Sequence, residues 1–160
     1  MATPPCPCGY YGDKQRECNC TPLQIQRYIG KVSGPLLDRI DLHLEVGALP
    51  FKEMNDERQG ESSAEIKKRV DATRNVQAER YQKKERIHCN AQMGLGEIEQ
   101  YCKLDESSMR LLEKSVERLG LSARAYHRIL KIARTIADMD GKLQLELSHV
   151  AEAVQYRRNG

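Results

Sequence analysis

The sequence lacks tryptophan, contains a single phenylalanine and has no apolar run long enough to cross a membrane. With so few large aromatic side chains, Leu, Ile, Val, Ala and the seven tyrosines must fill any core, which favours packed helices over a β-sandwich. The first residues lack the basic and apolar regions of a signal peptide, so we expect a cytoplasmic protein without membrane contact. Net charge identifies no partner, since 26 Lys and Arg nearly balance 23 Asp and Glu.

Cysteine, in contrast, is concentrated at the start of the chain. Two Cys-x-Cys pairs lie among turn-forming residues, where no regular element is expected: Cys6, Cys8, Cys18 and Cys20. In a reducing compartment four clustered thiols favour a Zn²⁺ site, which would hold this segment in order. The one-residue spacing is narrower than that of most zinc ligands, so disulfides or free thiols remain alternatives. The two isolated cysteines are expected to be ordinary, semi-buried thiols: Cys89 and Cys102.

The first 47 residues carry helix signals and one strand pattern. A helix is predicted over 22–30, and Ser33-Gly34-Pro35 opens a helix of about one turn that ends near Arg39. Apolar and polar residues then alternate over 40–46, the pattern of a half-buried strand. The following stretch, 48–61, has no periodicity and is predicted to be a linker.

Residues 62–160 have the pattern of four to five helices. The spacing of Ser62 and Glu65 is that of a capping box, and it begins a long, mostly solvated helix that extends to about Arg86. A second helix is predicted over 95–102. Further helices should follow three capping residues: Asp105, Ser122 and Ser148.

Four stretches of the sequence carry a family resemblance. They read CPCGYYGD at 6–13, SGPLLDRIDL at 33–42, LSARAYHRILKIARTIAD at 121–138 and EAVQYR at 152–157. Together they resemble bacterial magnesium-chelatase-like AAA+ ATPases. Within that family the sequence is most similar to competence-associated, helicase-like proteins that act on DNA branch structures.

The resemblance implies a mainly α fold in two parts. Residues 1–47 would be the end of an AAA+ αβ core, made of short helices and one strand, and residues 62–160 would be an AAA+ helical lid. ATP and Mg²⁺ are the implied ligands of the complete protein. The phosphate-binding loop of the family, G-x-x-x-x-G-K-[ST], is absent from these 160 residues. We therefore expect a C-terminal part that cannot hydrolyse ATP alone. Its expected partners are the N-terminal remainder of its own chain and the neighbouring subunits of a homo-oligomeric ring. The resemblance implies that this ring is a hexamer.

The resemblance assigns Arg39 to the ATP of a neighbouring subunit. A planar, permanently charged guanidinium inserted from outside a nucleotide pocket stabilises the charge of the transferring phosphoryl group, and such a residue is called an arginine finger. The alternative is a surface arginine paired with Asp38 or Asp41.

The resemblance assigns Arg124 to the ATP of its own subunit, as the sensor 2 arginine of the lid. Arg124 follows the capping residue Ser122, so exposed N–H groups and the helix dipole favour an anion beside it. The alternative is a solvated basic stripe shared with Arg128 and Lys131.

A function of a different class is suggested by the helix–turn–helix pattern around Gly120, which suits a stand-alone DNA-binding or adaptor module with a zinc-stapled N-terminus. The second helix offers mainly Arg, His and Lys, which contact phosphates more readily than base edges. The long helix adds basic residues that predict non-specific DNA contact, or else a solvated charged face: Lys67, Lys68, Arg69, Arg74, Arg80, Lys83, Lys84 and Arg86.

Overall fold

The computed structural model describes residues 2–13, 15–47 and 60–157, and its regular structure there is entirely helical. The mainly α class predicted from composition and from the family resemblance is confirmed. None of the helices described is long and apolar enough to cross a bilayer.

Contacts divide the described residues into two compact units. The first comprises the residues up to 40 together with 45–47, and the second comprises 41–44 and 60–157. Most of the predicted linker, 48–61, lies outside the described residues, so its boundaries stay a prediction.

In its described residues the first unit contains two short helices, α1 (Pro22–Ile29) and α2 (Gly34–Leu37). The Thr21 hydroxyl accepts the Gln24 N–H at the start of α1, and the Gln24 side chain accepts the Thr21 N–H in return. This reciprocal capping box satisfies two N–H groups that have no partner inside the helix. Both helices form where the sequence predicts them.

The strand predicted over 40–46 is wrong. Among the described residues this segment has no regular structure, and its side chains become more exposed along the chain, with Leu44 68% and Val46 92% exposed. A strand requires a neighbour that completes its backbone hydrogen bonds. The His43 N–H instead donates to the Tyr156 carbonyl at 2.9 Å, a bond within the second unit that pairs no strands.

The second unit is built from five α-helices and one 3₁₀ turn in the described range. They are α3 (Ser63–Tyr81), the 3₁₀ turn (Asn90–Gln92), α4 (Leu95–Tyr101), α5 (Glu106–Leu119), α6 (Ala123–Met139) and α7 (Leu147–Gln155). The predicted capping residues Ser62, Asp105 and Ser122 each accept a backbone N–H of the helix that they begin. The expected number of four to five helices is confirmed.

The core of the second unit lies between α5, α6 and α7. Alanines on the buried faces allow these helices to approach closely, and branched side chains fill the space between them. Each fully buried Leu, Ile or Val contributes roughly 1.5–3 kcal/mol to folding. The fully buried apolar side chains on these helices are Leu112, Ala125, Ile129, Ala133, Ala137, Val150 and Ala153.

Two predicted helix ends are wrong. Helix α3 stops at Tyr81 instead of Arg86, because the Tyr81 ring is buried in the core and its carbonyl accepts the Lys84 N–H in a turn that follows the helix. Helix α7 begins after Glu146, not after Ser148. The N–H of Glu146, the residue before the helix, is satisfied by buried His149, whose Nδ1 accepts it at 2.9 Å.

Candidate functional site

The four N-terminal cysteines form a cluster in the first unit. Their sulfur atoms all lie within 4.8 Å of one another, and all four thiols are free. The Sγ–Sγ distances are 3.3 Å for Cys6–Cys8, 3.5 Å for Cys8–Cys18 and 3.7 Å for Cys6–Cys18. Tetrahedral zinc with Zn–S bonds of about 2.3 Å separates its sulfur ligands by about 3.8 Å. The side chains therefore fit a Cys₄ site, with Cys20 as the fourth ligand.

Two glycines turn the chain sharply within this cluster. Gly9 has a φ of 85° and Gly12 a φ of 83°, a region that other residues rarely adopt. The Gly9 N–H donates to the Cys6 carbonyl at 3.0 Å, which closes a tight turn around Cys8. This turn allows both sulfur atoms of a Cys-x-Cys pair to face the same point.

The described residues of the first unit bury almost no apolar surface. Among its described residues, Cys6 alone is fully buried. Ordering a backbone costs roughly 1–2 kcal/mol per residue, and an exposed unit of this size cannot offset that cost by apolar burial. A metal bound by four thiolates would supply the missing stabilisation, as it does in small zinc domains.

The thiols of the cluster differ in protonation. A hydrogen bond from the Tyr10 backbone is the largest effect that lowers the pKa of Cys8, to about 6. The backbone hydrogen bond from Cys20 lowers the pKa of Cys18, but burial and the neighbouring sulfur atoms together raise it by more. The pKa of Cys18 is therefore raised to about 12. Cys8 is thus a thiolate at neutral pH, the form that binds metals, and a divalent cation would favour the thiolate at the other sulfur atoms as well.

The remaining cysteines lie in the second unit and outside the cluster. Cys102 is buried, with its Sγ 3.7 Å from the Leu130 carbonyl, and burial raises the pKa of its thiol to about 11. Cys89 is half-buried. Both fit the predicted role of ordinary thiols, and Cys102 remains protonated at neutral pH.

Arg39 lies in the turn that follows α2, and its side chain is exposed. Its Nη1 donates to the Pro35 carbonyl at 2.9 Å. Asp41, one of the two carboxylates considered as its partner, binds Arg128, and both residues belong to the second unit. The finger role of Arg39 stays a prediction.

Arg124 lies in the first turn of α6 and is exposed. The Ser122 hydroxyl accepts the Ala125 N–H at 3.2 Å, so the helix begins at the predicted cap. The guanidinium is therefore placed beside the positive end of a long helix, where an anion is favoured. Its sensor role also stays a prediction.

The basic residues that follow Arg124 on α6 do not form a solvated stripe. Arg128 binds Asp41, and its side chain is only 22% exposed. The Lys131 ammonium donates to the Ala91 carbonyl at 3.0 Å. Of these three residues, Arg124 is exposed and the other two are half-buried.

The basic residues assigned to the long helix divide into two groups. Arg80 turns inward with 13% of its side chain exposed, and Lys84 binds Glu97 at 3.1 Å. The others are exposed, and the two most C-terminal ones follow the end of α3: Lys67, Lys68, Arg69, Arg74, Lys83 and Arg86.

A buried polar network joins α3 to α6, which sequence reasoning missed. Asp138 is the acceptor of both Arg80 and Arg134, and the Asn90 amide donates to it at 2.8 Å. Arg134 also donates to the Leu143 carbonyl at 2.8 Å. Because buried charges require partners, this network holds α3 in one orientation on α6. The i, i+4 spacing of Arg134 and Asp138 beside buried Ala133 was the signal that could have revealed it.

Comparison with known families identifies both units. Residues 60–157 match the family model "Magnesium chelatase, subunit ChlI C-terminal", and residues 1–54 match "Magnesium chelatase, subunit ChlI". The chain belongs to the magnesium chelatase family. The ChlI match contains the cysteine cluster and Arg39, and the C-terminal match contains Arg124, so the resemblance inferred from the sequence is confirmed.

Relatives in this magnesium chelatase family have much longer chains. Competence protein ComM of Haemophilus influenzae is 44% identical over 154 residues, which is 96% of this chain and 29% of ComM. YifB of Escherichia coli, an uncharacterised protein, is 44% identical over 155 residues, again 96% of this chain and 29% of the relative. An uncharacterised Mycobacterium tuberculosis protein is 31% identical over 160 residues, or 31% of its length. The chain thus spans less than a third of these relatives.

Proposed function

We propose that this chain is the C-terminal part of a magnesium-chelatase-family AAA+ ATPase and that it supplies two arginines to ATP hydrolysis. The observation that carries the proposal is the placement of two exposed guanidiniums at element ends within the two family matches. Arg39 follows α2, and Arg124 lies in the first turn of the capped helix α6. Both are positions from which a side chain can reach phosphate oxygens.

The two arginines serve different ATP molecules in this proposal. Arg39 completes the site of a neighbouring subunit, and Arg124 contacts the ATP of its own subunit from the lid. The complete protein here means a chain of the relatives' length that contains these residues. Its remaining part supplies the phosphate-binding loop and the acidic ligands of Mg²⁺. A finger that acts in trans requires a closed ring, and a hexamer is the form that the family resemblance suggests.

The cysteine cluster has a structural role in this proposal. Zn²⁺ bound by Cys6, Cys8, Cys18 and Cys20 orders the first unit, whose described residues bury little else. Because all four positions of the metal would be filled by thiolates, the site has no open position for a substrate.

Replacing Arg124 with alanine in the complete protein tests the lid contribution. Loss of a charge-assisted contact to phosphate should weaken nucleotide binding or turnover by roughly 10- to 100-fold. Equilibrium binding of a fluorescent ATP analogue and steady-state hydrolysis measure the two quantities separately.

The matched control is Arg118→Ala, which removes an exposed arginine from α5 and should change neither quantity. Wild-type affinity together with wild-type turnover in Arg124→Ala would reject the sensor role and favour a merely solvated arginine.

Non-specific DNA contact is a second candidate function, favoured by exposed basic residues on α3. Lys67, Lys68 and Arg74 are all exposed, so they could approach phosphates without breaking buried interactions. The competing helix–turn–helix hypothesis relies on α6, where Arg128 is occupied by Asp41 and Lys131 by a carbonyl. The observations therefore favour α3 over α6 as the DNA contact.

Titration of this chain with duplex and single-stranded DNA at several salt concentrations tests the contact. Lys67→Gln combined with Lys68→Gln should lower the slope of log K against log salt by roughly 2, because each phosphate contact contributes about 0.9. Lys114→Gln, an exposed position on α5, is the control. An affinity for DNA that changes neither with salt concentration nor in the double variant would reject the contact. An affinity that depends on the DNA sequence would favour the helix–turn–helix alternative.

A further inference from the structure

The ion pair between Arg128 and Asp41 connects two parts of the sequence that the proposed mechanism treats separately. Arg128 lies one helical turn after Arg124 on α6, and Asp41 lies two residues after Arg39. The Arg128 Nη1 donates to the Asp41 Oδ1 across 87 positions of sequence. The contact is partly protected from water, since the two side chains are 22% and 53% exposed.

A second contact holds the same segment on the helical unit. The His43 N–H donates to the carbonyl of Tyr156, the residue that follows α7, at 2.9 Å. Residues 41–44 accordingly belong to the compact unit of α3–α7 and not to the unit that contains α1 and α2. The segment after Arg39 is thus attached at two points to helices that would form the lid.

The chain between Arg39 and this attachment is short and partly ordered. Two residues span at most about 7 Å, so Arg39 must stay within that distance of Asp41, Cα to Cα, wherever the helical unit moves. The backbone N–H of Ile40, the residue between them, donates to the Leu37 carbonyl at 3.0 Å. The backbone N–H of Arg39 donates to the Leu36 carbonyl, also at 3.0 Å. A single residue, Ile40, separates Arg39 from Asp41, so a large displacement of Asp41 must displace Arg39.

We propose that Asp41 and Arg128 are positioning residues that transmit the movement of the helical lid to Arg39. Contact of Arg124 with ATP in its own subunit shifts α6, Arg128 carries Asp41 with it, and Asp41 moves the arginine that serves the adjacent ATP. The inference rests on the proposed roles of Arg39 and Arg124. It makes one ion pair the link between ATP binding at one site and hydrolysis at the next.

Asp41→Asn and Arg128→Gln in the complete protein test the link with little change in side-chain size. A partly exposed ion pair contributes at most about 1 kcal/mol, so each variant should lower kcat measurably, by up to about fivefold, and leave the ATP dissociation constant unchanged. The double variant should be no slower than the single variants, because both remove the same contact. Asp41→Glu keeps the charge and should retain more than about half of the turnover.

Arg110→Gln is the matched control, since it breaks the exposed Arg110–Glu106 pair on α5 and should leave kcat unchanged. Wild-type kcat in Asp41→Asn and Arg128→Gln, with Arg39→Ala inactive and Arg124→Ala impaired, would overturn the link and leave the proposed function standing. Additive losses in the double variant, or equal losses of ATP affinity and kcat, would also overturn it. Wild-type kinetics in Arg39→Ala and Arg124→Ala would instead reject the proposed function itself.

Discussion

Replacing Arg39 with alanine in the complete protein should reduce ATP turnover by about a thousandfold or more while ATP binding is retained. The guanidinium is expected to touch the phosphoryl group only in the neighbouring site, so it stabilises the transition state more than the bound substrate. Arg39→Lys should restore little activity, because an ammonium cannot form the planar, bidentate contacts of a guanidinium. Hydrolysis assays and equilibrium nucleotide binding measure the two effects.

Subunit mixing tests whether Arg39 acts across a subunit boundary. In the proposed complete protein, Arg39→Ala subunits would keep the phosphate-binding loop, and subunits with an inactivated loop would keep Arg39. Each preparation alone should be inactive, whereas mixed rings should regain hydrolysis at those interfaces that combine an intact loop with an intact Arg39. Unchanged turnover in Arg39→Ala rings would reject the finger, and inactive mixtures would show that Arg39 does not act in trans.

Protein purified without chelator should contain about one zinc ion per chain, and Cys6→Ser should lose it. Since the described part of the first unit buries little besides Cys6, loss of the metal should also remove its ordered turns. Amide exchange over residues 2–40 should then become fast, while exchange in α6 and α7 remains slow. Elemental analysis and hydrogen exchange measure the two consequences.

Cys89→Ser is the control for the zinc measurement, because Cys89 is half-buried in the second unit and outside the cluster. It should retain the zinc and the slow exchange of the first unit. Zinc far below one per chain in freshly purified wild type would reject the metal site. Loss of all four free thiols without any reductant would then favour the disulfide alternative.

Helix starts were largely predictable from the sequence, because capping is a local interaction. Thr21, Ser62, Asp105 and Ser122 each accept an N–H from a residue three positions later, as their spacing indicates. The end of α5 at Gly120, with φ of 60°, follows from the same local chemistry. The cap of α7 was missed because it depends on buried His149, and burial is a property of the whole fold.

The candidate site was only partly predictable. The four cysteines were recognised from composition, since clustered thiols in a turn-rich segment have few other roles. Their convergence within 4.8 Å depended on turns at Gly9 and Gly12 that spacing alone left open. Arg39 and Arg124 were identified by family resemblance, and their exposure agrees with a role toward a ligand without testing it.

The sequence by itself determined the helical class, most helix starts, the cysteine cluster and the family, because each depends on interactions between residues close in the chain or on a continuous pattern. Tertiary structure decided which charges face inward: Arg80 binds Asp138 and Arg128 binds Asp41, over separations of 58 and 87 positions. It also decided that 40–46 forms no strand in the described structure, since a strand depends on a distant partner that local alternation cannot reveal. Those long-range contacts led to the proposed link between the lid and Arg39.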